Sequence, residues 1–277
     1  MTPAALAALM AGHAHSPAAQ VAQTAHRLAL AAHWKPRPGA RLVEIGCGQG
    51  DTTAVLADLV GPTGHVLATD PGPADYGTPV TLGASLRHLA AGPLGDRVEP
   101  RLGLGLDLAT APPEPGFDAV VLAHCSWYVA DAATLRRLLE RARDWAPVLH
   151  FAEWDPEPSG PGQLAHLLAV RLQAHLVATG LRGDGNIRTP FSRPQILRLL
   201  AETGWRAGPA VPVPTDGLQD ADWEIDAARY WLEEARAQGE VPPHALDLAE
   251  SEADVLAACA RPQGNACLPA WTVTATA

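Results

Sequence analysis

The chain has 277 residues, an apolar content of 47% and a formal net charge of −10 at pH 7. This is the length and composition of an ordinary globular protein, either one large α/β domain with an added cap or two small domains. The acidic balance argues against nucleic acid and against an anionic membrane as partners, because both bind basic surfaces. The cysteines form no CxxC pair and no apolar run is long enough to span a bilayer, so we expect a cytoplasmic protein with free thiols.

The N-terminal segment is predicted to be one helix after an irregular start. Residues 1–15 are alanine-rich, include His13 and His15, and are expected to be mobile. Ser16-Pro17 is typical of a helix N-cap followed by proline at the first helical position, and the helix then runs to about Trp34.

The stretch from Arg41 to Asp70 has the pattern strand, glycine loop, helix, strand. A short apolar strand leads into Gly46-x-Gly48-x-Gly50, where glycine allows a sharp turn and a close approach to a ligand. The helix that follows is ended by Gly61, and the second strand ends in Asp70. This unit predicts half of a nucleotide-binding α/β fold, with the loop beneath the ligand and Asp70 at its ribose hydroxyls.

The residues around the loop indicate which ligand it binds. The dinucleotide fingerprint G-x-G-x-x-G requires a third glycine where this chain has Asp51. Asp51 and Glu44 would both repel a pyrophosphate, so a cationic ligand without phosphate suits this loop better.

The later strands bring further polar and aromatic residues to the same edge of the sheet. The third strand is expected at Arg97 to Leu102, the fourth at Asp118 to His124 and the fifth at Val148 to Glu153. The fourth is nearly all apolar, as in a buried parallel sheet, and continues into Cys125-Ser126-Trp127-Tyr128. In open α/β sheets this carboxyl end is the ligand side.

The remaining elements are predicted from helical periodicity, caps and turns. Helices are expected near 80–91, 131–145, 164–179, 192–203, 222–237 and 244–260, and strands at 210–214 and 270–277.

The acidic strand with Glu44, the Gly46-x-Gly48-x-Gly50 loop and Asp70 resemble the first two motifs of class I S-adenosylmethionine-dependent methyltransferases. Asp107 with the Phe117-Asp118 pair resembles the third, although Leu106 stands in place of a glycine. The resemblance implies an α/β, Rossmann-like fold with a mostly parallel seven-stranded sheet, an antiparallel last strand and helical cap insertions. It covers most of the chain from Arg41 onward.

The resemblance also implies an arrangement of the chain as a single methyltransferase domain over residues 1–277. Residues 1–36 would be a helical lid, 37–156 the cofactor-binding core, and 157–190 with 218–262 helical cap insertions. The expected setting is specialised metabolism.

The cofactor implied is S-adenosyl-L-methionine. Glu44 and the backbone from Gly46 to Gly48 would hold its amino-acid end, Asp70 its ribose and Asp107 its adenine. The full predicted set is Glu44, Gly46, Cys47, Gly48, Gly50, Asp70, Pro71, Asp107, Leu108 and His124.

The expected reaction is methyl transfer to an oxygen or nitrogen of a small, apolar or aromatic metabolite. His124 is the candidate general base because of its position and its pKa range, and Glu153 is a candidate to orient the acceptor. Transfer by proximity alone is the alternative. The predicted acceptor contacts are His13, His15, Trp127, Tyr128, Trp154, Arg188 and Trp231.

No metal is expected, and the protein is expected to be a monomer or a homodimer. Three other functions are left open by the residues. They are a fold relative that binds the same cofactor and catalyses cyclisation or rearrangement, a nicotinamide-dependent oxidoreductase, and a non-catalytic binding protein.

Overall fold

The computed structural model describes residues 1–103, 116–183 and 187–277 of the chain. Its strands are β1 (Arg41–Ile45), β2 (His65–Asp70), β3 (Val98–Leu102), β4 (Ala119–Ala123), β5 (Val148–Trp154), β6 (Arg206–Ala207), β7 (Val211–Val213) and β8 (Ala270–Thr276). Its α-helices are α1 (Pro3–Ala7), α2 (Pro17–Trp34), α3 (Asp51–Val60), α4 (Leu82–Ala91), α5 (Ala132–Trp145), α6 (Leu164–Thr179), α7 (Arg193–Glu202), α8 (Asp220–Gln238) and α9 (Pro243–Cys259).

The strands form one mixed sheet in the order β3-β2-β1-β4-β5-β8-β6, and β7 also pairs with β8. Strands β1 to β5 are parallel, and β8 runs antiparallel to β5. The predicted fold class, with its antiparallel last strand, is confirmed. Since β1 and β4 are neighbours, their carboxyl ends meet at the point where the strand order reverses, and ligands bind at such points.

The edge of the sheet beyond β8 is made of two short pieces where one strand was predicted. β6 pairs with the end of β8, and β7 pairs with its beginning. Between the two pieces stands Pro209, which has no backbone N–H to donate to a ladder. This interruption explains why the sheet contains eight strands in seven positions.

The N-terminal residues are ordered, so the prediction of a mobile start is wrong. They form α1 and a short 3-10 helix at Ala11–Ala14. Leu6 is fully buried and belongs to the same apolar cluster as Leu30 of α2 and Leu56 of α3. The segment is ordered because Leu6 and Met10 bury their apolar side chains against the sheet, which stabilises it.

Helices α6, α8 and α9 pack around an apolar cluster of their own, which includes Leu172, Ile225 and Leu256. A hydrogen bond from Gln173 Nε2 to Glu224 Oε2, 2.7 Å long, joins α6 to α8. In the described part of the chain, no helix combines the length and the apolar character that crossing a membrane requires.

Candidate active site

The glycine loop between β1 and α3 adopts a conformation that requires glycine. Gly46, Gly48 and Gly50 have φ values of 74°, 54° and 91°, in the left-handed region. A Cβ added at Gly46 would lie 2.5 Å from the Cβ of Cys125, whereas one added at Gly48 would meet no atom within 4 Å. The loop is therefore packed against the end of β4 on one side and borders open space at Gly48.

Asp70 fixes the loop from the end of β2. Its Oδ2 accepts a hydrogen bond of 2.9 Å from the Gly48 N–H, and its Oδ1 accepts one of 2.8 Å from the Gly72 N–H. Each carboxylate oxygen can accept a second hydrogen bond, so Asp70 can also bind a ligand hydroxyl. Pro71, the next residue, is exposed.

Two side chains of the predicted cofactor set lie beneath the loop and not in the open space. Glu44 is 2% exposed, accepts a 2.6 Å hydrogen bond from Thr53 Oγ1, and has its pKa raised by burial to about 7. The Cys47 side chain packs in a small apolar cluster with Ala68. Both side chains support the loop from within the core, while its backbone faces outward. Asp107 and Leu108 lie outside the described residues.

A cavity of about 130 Å³ opens beside the carboxyl ends of β4 and β5. The described residues that line it come from α2, α6 and α8, from the end of β5, and from the segments that follow β4 and precede α7. They are Arg27, His124, Trp127, Tyr128, Glu153, Trp154, His166, Ile187, Asp220 and Glu224.

His124 enters the cavity from a strained turn. It follows β4 with φ of 53°, a left-handed conformation that costs a non-glycine residue on the order of 1–3 kcal/mol. Its side chain is 7% exposed, its Nε2 lies 2.9 Å from the Nε2 of His26, and its Nδ1 has no hydrogen-bond partner. The Oε1 of Glu153 lies 3.5 Å from that Nδ1.

The proton positions of this histidine pair follow from one backbone carbonyl. His26 Nδ1 lies 2.9 Å from the carbonyl oxygen of Pro214, which can only accept, so Nδ1 carries the proton. Burial lowers the pKa of His26 to about 2, so its Nε2 is an acceptor and His124 Nε2–H must donate to it. Burial also lowers the pKa of His124, and its Nδ1 therefore presents a lone pair towards Glu153.

Glu153 is held by backbone and side-chain donors. Its Oε2 accepts from the Ser126 N–H at 2.9 Å and from Ser126 Oγ at 2.7 Å, and its Oε1 accepts from the Trp154 N–H at 3.0 Å. Burial of this 1% exposed residue raises the pKa of the carboxyl to about 7, against the opposing effect of the Ser126 hydrogen bond. Glu153 therefore changes charge close to neutral pH.

Aromatic rings complete the walls. Trp154 stacks on His26 with ring centroids 6.0 Å apart and meets the edge of His166 at 5.4 Å. His166 Nδ1 accepts from the Leu268 N–H at 3.0 Å, so the proton of this neutral ring lies on Nε2. Trp127 is held by a hydrogen bond from its Nε1 to the Phe191 carbonyl.

Four predicted acceptor contacts are not among the described residues that line the cavity. His13 is half-buried and His15 exposed in the N-terminal 3-10 segment. Arg188 donates its backbone N–H to the Trp127 carbonyl, and Trp231 packs against the cluster of α6, α8 and α9. The structure thus brings together His124, Glu153, Trp127, Tyr128 and Trp154 but leaves these four outside.

The sequence predictions missed five of the described residues in the cavity wall, which are Arg27, His166, Ile187, Asp220 and Glu224. A usable signal existed for the last two, since acids four residues apart on a helix share one face. Arg27 lies on the helix expected over the ligand entrance, but nothing local separates it from the other polar residues of that helix. Within the described ranges, no group of three or more His, Cys, Asp or Glu residues could hold a metal ion.

Comparison with known proteins identifies the family. A solved structure from Lactobacillus casei, described as a cyclopropane-fatty-acyl-phospholipid synthase-like protein, is 37% identical with a TM-score of 0.85, over 99% of this chain and 98% of that one. Methyltransferase phomM' from Diaporthe leptostromiformis is 31% identical over 246 residues, which is 73% of this chain. The chain belongs to the class I S-adenosylmethionine-dependent methyltransferase family.

The other comparisons are consistent with this membership but add less. The match to phomM' covers 62% of that protein, so this chain spans less than two thirds of its length. The YcgJ protein from Bacillus subtilis shares the fold alone, at 13% identity and a TM-score of 0.55. No protein-family model matches the chain. Membership in this methyltransferase family argues against the nicotinamide-dependent alternative.

Proposed function

We propose that this protein transfers the methyl group of S-adenosylmethionine to a small-molecule acceptor bound in the cavity beside His124. The residues around the glycine loop fit that cofactor. Gly48 borders open space, and Asp70 keeps lone pairs free for ribose hydroxyls. When bound there, the cofactor supplies an electrophilic methyl group on a sulfonium.

The observation that carries the proposal is the unpaired His124 Nδ1, buried in the cavity 3.5 Å from Glu153 Oε1. A neutral imidazole with a free lone pair accepts a proton from an acceptor O–H or N–H as it becomes a nucleophile. The ionised Glu153 carboxylate then stabilises the imidazolium. Ser126 and the Trp154 N–H hold that carboxylate in place.

The elements around the cavity are proposed to exclude water during transfer. α2, in the predicted lid, contributes Arg27, and the predicted cap contributes His166 from α6 and Glu224 from α8. Closing a site in this way strengthens the interaction of the His124–Glu153 pair, because the local dielectric falls.

The lining favours a polar acceptor group. The name of the Lactobacillus casei relative refers to a fatty-acyl phospholipid synthase. A fatty-acyl chain needs a long apolar tunnel, whereas the cavity here is small and lined by carboxyl groups and imidazoles among its aromatic walls. We therefore propose a small metabolite, with the aromatic walls contacting its apolar part.

Calorimetric titration with S-adenosylmethionine and, separately, with NADH tests the cofactor. We expect micromolar binding of the sulfonium alone; binding of neither would contradict the proposal.

Transfer of labelled methyl to acceptors then tests the reaction, and turnover that leaves the cofactor unconsumed would favour cyclisation or rearrangement. His124→Ala should lower kcat more than it lowers cofactor affinity, with His33→Ala, which replaces an exposed histidine of α2, as the control.

A further inference from the structure

We propose that the acceptor is a basic amine, bound as its ammonium ion between the carboxylates of α8 and the Glu153–His124 pair. The proposal rests on the proposed function and names the chemical class of its acceptor. It predicts N-methylation.

The first observation is the charge of the cavity. Three carboxyl groups line it, from Glu153, Asp220 and Glu224, against the single cation Arg27. The imidazoles of His124 and His166 in this lining are neutral, and so is that of His26, which contacts His124, because burial lowers all three pKa values. Burial also raises the pKa of all three carboxyls, to about 7 for Glu153 and Glu224, and a bound cation would favour their ionised form. With the three carboxyls ionised, the cavity has an excess of two negative charges, which a cationic ligand would offset.

The second observation is that no arginine or lysine among the described residues forms an ion pair with these three carboxylates. The nearby Asp155 provides a contrast, since its Oδ2 lies 3.3 Å from Arg193 Nε. Asp220 and Glu224 instead accept from neutral amides, at 2.6 Å from Gln23 Nε2 and at 2.7 Å from Gln173 Nε2. One oxygen of each carboxyl is thus held in position by an uncharged donor.

The amide contacts also orient the pair. Asp220 and Glu224 stand four residues apart on α8 and so share the face that lines the cavity. Gln23 comes from α2 and Gln173 from α6, so two other helices fix the two carboxyls. Such preorganised acceptors suit an ammonium group, which has only donors.

The aromatic walls fit the same ion. Trp127, Tyr128 and Trp154 line the cavity, and aromatic faces attract ammonium ions and stabilise them by about 0.5–2 kcal/mol each. A carboxylate or phosphate ligand would instead face the three carboxyls with only Arg27 to balance it. The cavity of about 130 Å³ is roughly four times the ~30 Å³ share of a liquid water, which is room for an amine group and a short stem.

The third observation is independent of the acids and supplies the base that an ammonium ion requires. His124 is nine-tenths buried, and its Nδ1 is unpartnered in this cavity. The ammonium would transfer one proton to that Nδ1, and the freed nitrogen lone pair would form the new C–N bond. The electrons of the broken C–S bond remain on sulfur as a thioether, and the product is the methylated ammonium ion.

The test measures binding with the cofactor product S-adenosylhomocysteine at saturation. Straight-chain and benzylic primary amines, n-butylamine and benzylamine among them, are each titrated beside the alcohol of the same skeleton. We expect the amines to bind at least about tenfold more tightly, since hydrogen bonds to charged groups are the stronger ones. Labelled methyl should then transfer from S-adenosylmethionine to the amines that bind.

Glu224→Gln should weaken amine binding by about tenfold or more and leave the affinity for S-adenosylhomocysteine unchanged. Its matched control is Glu233→Gln on the same helix, where the carboxylate is exposed and paired with Arg236. If no amine binds more tightly than its alcohol, or if Glu224→Gln binds amines as the wild type does, the amine assignment is wrong. Failure to bind S-adenosylhomocysteine or S-adenosylmethionine would instead contradict the proposed function itself.

Discussion

His26 and His124 face each other with their Nε2 atoms 2.9 Å apart, and the Pro214 carbonyl determines which of them donates. Because that carbonyl accepts a hydrogen bond from His26 Nδ1–H, His26 Nε2 has the lone pair and must accept a hydrogen bond from His124 Nε2–H. The Nδ1 of His124 is thereby left without a proton, next to Glu153. His26 thus acts as a positioning residue for the proposed base.

Replacing His26 tests this role. His26→Leu removes the acceptor of the His124 Nε2–H, and an unsatisfied buried donor costs about 1–3 kcal/mol, so the imidazole can change tautomer or rotate. We expect kcat to fall about 10- to 100-fold with cofactor affinity unchanged. His26→Gln keeps a donor and an acceptor and should recover part of the loss. Wild-type kcat in His26→Leu would show that His26 does not position the base.

The glycine loop gives a test that separates folding from binding. Gly48 and Gly239, the residue that follows α8, have φ values of 54° and 67°, and a Cβ at either would meet no atom within 4 Å. Alanine at each position should therefore cost a similar 1–2 kcal/mol, roughly the penalty for a left-handed residue. Only Gly48→Ala should weaken S-adenosylmethionine binding, because only its methyl group would lie at the ligand side of the loop. Denaturant unfolding and calorimetry measure the two effects, and equal cofactor affinity in both variants would contradict the placement.

Asp70→Ala should abolish measurable cofactor binding. The substitution removes the proposed ribose contact and the acceptor of the Gly48 N–H, so the loop loses its anchor to β2. Asp75→Ala is the control, since it removes an exposed carboxylate from the segment between β2 and α4. Calorimetric titration with S-adenosylmethionine measures the affinity of both variants. Unchanged affinity in Asp70→Ala would show that Asp70 is not part of the cofactor site.

The activity should depend on the ionisation of Glu153. Burial raises its pKa to about 7, and only the carboxylate can stabilise an imidazolium on His124. We expect kcat to increase with pH around that value, and Glu153→Gln to be slower and to lack this dependence. A wild-type pH profile that persists in Glu153→Gln would assign the titration to another group.

The same group predicts a difference in stability. The folded pKa of about 7 lies above the usual 4.5, so the folded state holds a proton that the unfolded state has lost between those values. Stability is therefore lost as pH rises through this window, by roughly 3 kcal/mol if the full shift applies. The free energy of unfolding of Glu153→Gln should therefore increase relative to that of the wild type from pH 4.5 to above 7, because the amide does not ionise. A constant difference between them would contradict the raised pKa.

Much of the first half of the fold was predictable because its signals are local. Strand β1 begins at Arg41 and β2 ends at Asp70, as predicted, and α3 ends before Gly61, as that turn glycine indicated. A glycine loop between an apolar strand and a helix can be recognised from adjacent residues, since backbone conformation and burial are both determined within a few positions. The same local pattern was the basis of the resemblance to class I methyltransferases.

The arrangement of the cavity was decided by tertiary packing. His26 and His124 are 98 residues apart, and Gln23 meets Asp220 across 197 residues. No periodicity or cap relates such positions, because their contact depends on how α2 and α8 pack over the carboxyl ends of β4 and β5. The sequence alone determined which residue types follow each strand. The position of the proton on His124 and the charge of Glu153 depend on burial and on neighbouring groups, which only the folded protein supplies.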